Sequence, residues 1–180
     1  MSGHSKWSQI KHKKRAADQK RGQLFSKLSK MISIAARKGI NPDANIELKN
    51  AIEKARTFNM PGENIERAIK RAADKDIAQL NAIRIEAVGQ NSSAFIIEAI
   101  TDNSNRTISE IKNIFKNYDI KMVQPNSLMW MFSKADGDFT PNNPLEIKDE
   151  KLKTKIKNFL EELDNNEDIK EIYYNISNLS

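Results

Sequence analysis

The sequence has no cysteine and only two histidines, His4 and His12, among its 180 residues. Without cysteine there is no disulfide bond, no thiolate metal site and no thiol nucleophile. Neither histidine has a nearby acidic residue to orient it, as a catalytic triad or a metal-binding histidine requires. Glycine-rich phosphate-binding loops are also missing. We therefore predict no catalytic residue, no metal, no cofactor and no small-molecule substrate, and we do not expect an enzyme.

Long apolar runs are absent as well. No stretch approaches the roughly 20 apolar residues that cross a bilayer, and no apolar core of a secretory signal follows the N-terminal charges. The basic N-terminal segment lacks the strongly apolar face of a helix that binds a membrane surface. We therefore expect a cytoplasmic protein with no membrane partner.

The charges that are present are distributed unevenly. Residues 1–75 hold 18 basic and 7 acidic side chains, whereas residues 76–180 hold 12 basic and 17 acidic ones. Residues 1–38 contain 11 basic residues and a single acid, Asp18. A long basic segment with so few acids attracts polyanions. We therefore predict that the N-terminal third binds nucleic acid.

Three amphipathic helices are predicted in the first half of the chain. Apolar residues recur at helical spacing within residues 24–35, 48–55 and 65–72, and Gly39 is suited to end the first helix. Short amphipathic helices bury their apolar stripes against one another. We therefore predict a basic arm followed by a three-helix bundle over residues 1–78.

The second half has the composition of a mixed domain. Strands are predicted over residues 83–88, 94–100, 120–124, 128–132 and 169–176, with helices over 107–118 and 152–163. Thr107 and Glu110 have the spacing of a capping box that opens the first of these helices. We predict an α+β domain over residues 79–180, with about five strands, two helices and a loop near 134–146.

The predicted nucleic-acid contacts are basic and ring-bearing side chains of the arm and the first helix. The basic ones are Lys6, Lys11, Lys13, Lys14, Arg15, Lys20, Arg21, Lys27, Lys30 and Arg37. Such residues neutralise phosphates and release counterions. The rings of His4, Trp7 and His12 are suited to stack on unpaired bases. Packing of Trp7 against the bundle is an equal alternative.

Two features of the second domain also bear on function. The polar residues around Asn105 are explained by loop and cap chemistry, whereas Arg106 is left open as a possible contact to a partner. Trp130 is predicted to lie in the core of the sheet rather than to form a stacking platform.

Several motifs resemble those of a known family. The chain is similar to the YebC family, which includes a mitochondrial translational activator, and the resemblance is most specific over residues 3–75. The motifs that carry it are Gly3–Trp7, Ile10–Lys13, Lys20–Gly22, Phe25–Leu28, Ala35–Arg37, Asn59–Pro61, Asn64–Lys70, Thr101–Asn103, Asn105–Thr107, Trp130–Phe132 and the acidic, Tyr-containing tail Leu163–Asn175.

The chain departs from the family pattern in three places. Ala87–Ser93 replaces a turn rich in tyrosine and glycine, and Tyr118-Asp119 replaces a glycine pair. Family members also carry a further small α+β domain after the Trp-Met-Phe segment. Here Ser133–Asp138 runs almost directly into Phe139–Pro144, so we predict that this inserted domain is missing.

The resemblance implies a non-enzymatic bacterial regulator of gene expression. Family members are regarded as ribosome-associated translation factors that relieve stalling at consecutive prolines, or as DNA-binding transcriptional regulators. The second and third helices have acids such as Glu53, Glu63 and Glu66 on their predicted outer faces, which suits a DNA groove poorly. We therefore expect ribosomal RNA on the ribosome as the partner, with a DNA-binding regulator as the alternative. A protein-interaction scaffold or an enzyme is less favoured.

Overall fold

The computed structural model describes the backbone of residues 18–73, 79–135 and 137–179, and the side chains of these residues except 18–20 and 73. The described residues form two compact units. The helical unit extends to Asn81 and also includes Ile100–Asn103. The sheet unit comprises Ala82–Ala99 and the described residues from Ser104 onward. The domain boundary expected after residue 78 stays a prediction.

The helical unit contains three helices in contact, as predicted. They are α1 (Asp18–Ala36), α2 (Ile46–Thr57) and α3 (Gly62–Lys70). Helix α1 packs against both of the others. The shared core is apolar, with Leu28, Ile32, Leu48, Ala55, Ile65 and Ala68 among its buried residues. The buried Ser33 hydroxyl donates to the Ala68 carbonyl oxygen at 2.7 Å and ties α1 to α3.

Asn45 joins the end of α1 to the start of α2. Its side-chain oxygen accepts the Leu48 N–H at 3.1 Å, which caps α2. Its amide nitrogen donates to the carbonyl oxygens of Ala35 (2.8 Å), in the last turn of α1, and of Gly39 (2.7 Å), just after that helix. Gly39 has φ +142°, a backbone conformation that glycine adopts without strain. One buried amide therefore satisfies polar groups at two helix termini.

The sheet unit contains six strands and two helices, which confirms the α+β class. Its elements are β1 (Asn81–Val88), β2 (Ala94–Thr101), α4 (Ser104–Tyr118), β3 (Lys121–Met122), β4 (Phe132–Ala135), β5 (Asp138–Pro141), α5 (Glu150–Asp164) and β6 (Ile169–Tyr174). Four strands form a sheet in the order β3-β1-β2-β6, in which β2 and β6 are antiparallel. Strands β4 and β5 form a separate antiparallel pair.

Strand β2 is buried on both faces, and its side chains alternate between two cores. Phe95 and Ile97 pack with α4 and α5, and the Phe95 ring meets Phe159 edge-on at 5.1 Å between centroids. On the opposite face, Ile96 lies in a cluster with residues of the β4–β5 pair. The Phe139 and Tyr173 rings lie 5.2 Å apart in that second cluster. The sheet is therefore covered on both sides.

The turn between β1 and β2 is one of the segments in which the sequence departs from the family pattern noted above. Asn91 and Ser92 both have left-handed backbone conformations, with φ of 53° and 60°. Such conformations are unfavourable for residues with a Cβ. The Asn175 side chain holds the turn, because it donates to the Ser92 carbonyl oxygen at 3.1 Å and accepts the Ala94 N–H at 2.9 Å.

Three predictions of local structure are wrong. Helix α4 begins at Ser104, so Thr107 lies inside it and is not an N-cap. The buried hydroxyl of Thr107 instead donates to Asp168 Oδ2 at 2.7 Å. Residues 128–132 do not form a strand either, because Met129–Met131 is a 3₁₀ turn and β4 begins only at Phe132. Strand β5 lies in the segment that was expected to be a loop.

Asp168 connects α4 to the start of β6. Its buried carboxylate also accepts a hydrogen bond from Arg106 Nη2 at 2.8 Å, beside the one from Thr107. Burial of a carboxylate is tolerated where it is paired and hydrogen-bonded. The interaction therefore fixes the first turn of α4 against a segment that lies 61 residues further along the chain.

Within residues 18–73, 79–135 and 137–179, none of the helices combines the length and the apolar composition of a membrane span.

The Asn45 cap predicts a measurable loss of stability. Asn45→Ala should lower the free energy of unfolding by about 1–3 kcal/mol, because it removes the α2 cap and leaves the Ala35 and Gly39 carbonyl oxygens without this donor. Urea titration followed by circular dichroism measures the loss. Asn50→Ala, on the exposed face of α2, is the matched control and should change stability by less than about 0.5 kcal/mol. An equal effect of the two substitutions would contradict the role assigned to Asn45.

The Asp168 interaction predicts a similar contrast in the sheet unit. Asp168→Ala should destabilise the protein by about 1–3 kcal/mol, because the Thr107 hydroxyl loses a buried acceptor. Glu110 also faces Arg106, at 3.8 Å from its Nε, but is exposed. Glu110→Gln should therefore cost less than about 1 kcal/mol. Thermal unfolding of the two variants compares them, and a larger effect for Glu110→Gln would count against the assignment.

Candidate nucleic-acid interface

Helix α1 and the turn after it have the most one-sided charge in the described helical unit. Residues 21–38 contain five basic side chains and no acid. Residues 39–72, which include α2 and α3, contain six basic and five acidic side chains. The positive charge of this unit is therefore concentrated on α1, where a polyanion is attracted most strongly.

Two of the predicted contacts are exposed arginines. The Arg21 guanidinium carbon lies 5.9 Å from the centroid of the Phe25 ring, one turn further along α1. Arg37 is exposed beyond the end of α1, and its Nη1 donates to the Leu80 carbonyl oxygen at 3.0 Å. A carbonyl oxygen carries no net charge, so this bond positions the guanidinium without neutralising it. Both arginines are accessible to phosphate oxygens, which their planar fork suits.

The two predicted lysines of α1 differ from each other. Lys30 is half-buried, whereas the Lys27 side chain is only 4% exposed. The expectation that Lys27 extends the positive surface does not agree with this burial. A lysine stem readily packs along apolar neighbours, and here the packing includes most of the side chain. Among the predicted contacts with described side chains, the accessible charges are therefore Arg21, Lys30 and Arg37. Lys38 is exposed as well, but it is paired with Glu47 at 2.6 Å.

The remaining predicted contacts lie outside the described side chains. They are His4, Lys6, Trp7, Lys11, His12, Lys13, Lys14, Arg15 and Lys20. Their roles stay predictions from the sequence.

The outward faces of α2 and α3 combine both signs of charge, as the sequence indicated. Glu53, Glu63 and Glu66 are exposed, and so are Arg56 and Arg67. A helix lying in a DNA groove brings its exposed side chains close to phosphates on both sides. The exposed glutamates oppose that arrangement, so α2 and α3 do not have the surface of a helix-turn-helix reader.

Arg106 is held within the sheet unit. Besides its bond to Asp168, the guanidinium lies 3.8 Å from Glu110, and its side chain remains 45% exposed. Through these two carboxylates, Arg106 stabilises the fold of the sheet unit. A further role as a contact to a partner stays a prediction.

The prediction for Trp130 is also wrong. Its side chain is 73% exposed, although it was expected in the sheet core. The buried residues around it are Leu128 and Phe132, which are four positions apart. Residues four positions apart share a face in a strand as well as in a helical turn, so this spacing does not distinguish the two. The local sequence therefore contains no signal that places the indole at the surface.

The shifted pKa values are explained by burial and by the side chains around each group. Burial raises the pKa of Tyr173, with further contributions from Glu171, Glu98 and Asp138, and the phenol donates to Asp138 Oδ1 at 3.0 Å. A hydrogen bond from Lys155 lowers the pKa of Asp119. Among the described residues, no group of three or more His, Cys, Asp or Glu side chains is arranged to hold a metal ion.

Comparison with curated proteins returns bacterial regulators. A "probable transcriptional regulatory protein" of Thermoanaerobacter pseudethanolicus is 46% identical over 137 residues, which is 75% of this chain and 56% of that protein. A protein of the same name from Chloroherpeton thalassium is 48% identical over 74% of this chain and 54% of its own length. The chain therefore spans about half the length of the curated relatives it matches.

A solved structure extends the likeness to nearly the whole chain. The crystal structure of a conserved hypothetical protein from Aquifex aeolicus matches with a TM-score of 0.80 and 26% identity. The match covers 95% of this chain and 96% of that one.

Two family models match consecutive parts of the sequence. The model described as the TACO1/YebC protein N-terminal domain matches residues 5–75, which include α1, α2 and α3. The model described as the TACO1/YebC second and third domain matches residues 80–136, up to the turn between β4 and β5. The resemblance of the sequence motifs is thereby confirmed, and the chain belongs to the TACO1/YebC family.

Proposed function

We propose that this chain is a nucleic-acid-binding regulator of gene expression, and that residues 4–37 form its binding surface. The observation that carries the proposal is the acid-free stretch between Asp18 and Asp43, which includes the exposed Arg21 and Arg37. Lysines and arginines bind phosphates and release condensed counterions, whatever the base sequence. This surface therefore provides affinity for a polyanion.

The names of the curated relatives support a role in transcription. They refer to probable transcriptional regulatory proteins, so duplex DNA is the first target to test. In this version of the proposal, basic residues of the arm and α1 contact the DNA backbone. Helices α2 and α3 stay outside the groove, because their exposed glutamates face solvent beside the arginines.

A second candidate target is ribosomal RNA, and the mixed charge of α2 and α3 favours it. Without a helix suited to reading base edges, sequence-specific recognition of a duplex loses its usual basis. Irregular RNA is recognised by shape, backbone contacts and stacking, for which basic residues interleaved with His4, Trp7 and His12 are suitable. In this version the protein acts on the ribosome as a translation factor that relieves stalling at consecutive prolines.

Neutralising the arm tests the binding surface that both targets share. A variant with Lys11, Lys13, Lys14 and Arg15 changed to Gln should bind labelled duplex DNA more weakly and with a smaller dependence on salt. The slope of log K against log salt should fall by up to about 3–4, because each lost phosphate contact on duplex DNA accounts for about 0.9. Fluorescence anisotropy between 50 and 200 mM salt measures both quantities.

The sheet unit provides a control that matches the change of charge. Lys112, Lys116, Lys151 and Lys157 are exposed on α4 and α5. Changing these four to Gln lowers the net charge from +6 to +2, as the arm variant does. The control should keep the wild-type salt slope. If the two variants lose affinity equally, net charge alone drives binding and the proposed surface is wrong.

Sedimentation of a lysate through a sucrose gradient distinguishes the two targets. If the target is ribosomal RNA, the protein should migrate with ribosomes at low salt, and the arm variant or high salt should release it. If the target is DNA, the protein from a nuclease-treated lysate should stay at the top of the gradient, and the purified protein should still bind duplex DNA. Wild-type protein that neither migrates with ribosomes nor binds either nucleic acid would contradict the proposed function.

A further inference from the structure

We propose that Trp130 of the sheet unit is a stacking site for an unpaired nucleobase of single-stranded nucleic acid. The inference rests on the proposed function, because the ring provides a contact and the N-terminal residues provide the attractive charge. Trp130 is the most exposed of the large apolar side chains described, ahead of Ile40 at 69%. An exposed indole presents a flat π-face on which any base can stack.

The backbone that carries the ring is fixed on both sides. The buried Glu86 carboxylate accepts the N–H groups of Asn126 and Leu128, each at 2.8 Å. After the ring, the Asn142 side chain donates to the Trp130 carbonyl oxygen at 2.9 Å. The Asn142 N–H also donates to the Met131 carbonyl oxygen at 2.8 Å. Stacking on a ring whose backbone is already ordered costs little conformational entropy.

The surroundings of the ring are apolar and partly accessible. Met129 and Met131 flank it in the chain and are half-buried against the cluster beneath the β4–β5 pair. Val123 packs on the same cluster, and the neighbouring Met122 is 42% exposed. Methionine thioethers are polarisable and make favourable contacts with aromatic rings, and nucleobases are aromatic too. A base that stacks on Trp130 therefore has apolar neighbours to contact.

The chain segment that carries the ring is basic. Residues 120–135 contain two lysines, Lys121 and Lys134, and no acid, and both lysines are exposed. The buried Glu86 is paired with Arg84, whose Nε lies 3.5 Å from the carboxylate, whereas Asp138 accepts the Tyr173 hydroxyl and keeps its charge. Lys121 and Lys134 are therefore the basic side chains that this segment offers to the phosphates of a bound strand.

An unpaired base fits this site better than a duplex or a protein surface does. Base faces in a duplex are stacked on one another, whereas those of single strands are free to stack on an aromatic side chain. A protein partner suited to an exposed apolar ring would not need the two lysines of residues 120–135. Residues 76–180 as a whole carry more acids than bases, so the N-terminal residues provide the attraction for a polyanion. The ring distinguishes single strands from duplexes.

Fluorescence makes the site directly observable. The sequence has two tryptophans, so in a Trp7→Phe variant Trp130 is the only indole. Titration with a short unstructured oligouridine should quench its emission, because stacking brings a base onto the ring. Duplex DNA of the same length should leave the emission unchanged. Anisotropy with labelled oligouridine and otherwise wild-type protein gives the affinities.

Substitution of Trp130 should have an effect that depends on the ring. Trp130→Ala should weaken oligouridine binding about 5- to 100-fold, as expected for the loss of one stacked base. The salt slope should stay as in the wild type, whereas the arm variant reduces it. Trp130→Phe should restore most of the affinity. Ile40→Ala, which removes an exposed apolar side chain without a ring, is the matched control and should bind as the wild type does.

The outcomes separate this inference from the proposed function. If the wild type binds oligouridine but Trp130→Ala binds equally well and Trp130 is not quenched, the stacking site is wrong and the proposed function stands. If the wild type binds no nucleic acid, the proposed function fails and the stacking site fails with it. If Trp130→Ala instead converts a dimer to a monomer in analytical ultracentrifugation, the ring packs against a second copy, which also overturns the inference.

Discussion

The sheet unit depends on the burial of β2 on both faces. Its side chains enter two separate cores, so each face needs its own cover. Helices α4 and α5 cover one face, and the β4–β5 pair with the turn around Trp130 covers the other. The second cover is small, and it depends on two aromatic residues, Phe132 and Phe139, that lie on paired strands on either side of a tight turn. Interior aromatics of this kind contribute a large buried area for few residues.

This double burial also explains which parts of the structure the sequence could predict. The stripes of the first three helices and of α5 were clear, because each helix buries one face and exposes the other. β2 was recognisable as a continuous apolar run, which is typical of a strand that is covered on both sides. These elements follow from the local pattern of residues alone.

The errors occurred where a distant residue decides the local structure. Thr107 has the sequence context of a cap, but Asp168 competes for its hydroxyl from 61 residues away. The Glu86 carboxylate, 42 residues before Leu128, holds the turn that sequence patterns interpreted as a strand. The burial of Lys27 likewise depends on how α1 packs. No local pattern contains this information, so the sequence could not reveal it.

The charged residues named above have different roles in the two units. In the sheet unit, several charges are used within the fold, as in the pairs Arg106–Asp168 and Lys170–Glu98. In the helical unit, Arg37 is oriented by a neutral carbonyl oxygen and keeps its charge available. The candidate site could therefore be located from composition, since an excess of one sign cannot be neutralised internally. Which of its members face solvent required the structure.

The turn between β4 and β5 has a consequence for the evolution of the family. Ala135 and Asp138 are direct partners across the pair, so the two strands leave and re-enter the unit at neighbouring points. The match to the model of the second and third domain stops at residue 136, between β4 and β5 in the chain. A segment of any length could be gained or lost there while Phe132 and Phe139 keep their places in the core. The turn is thus a position at which a domain can be inserted or lost without a change in the hydrophobic core.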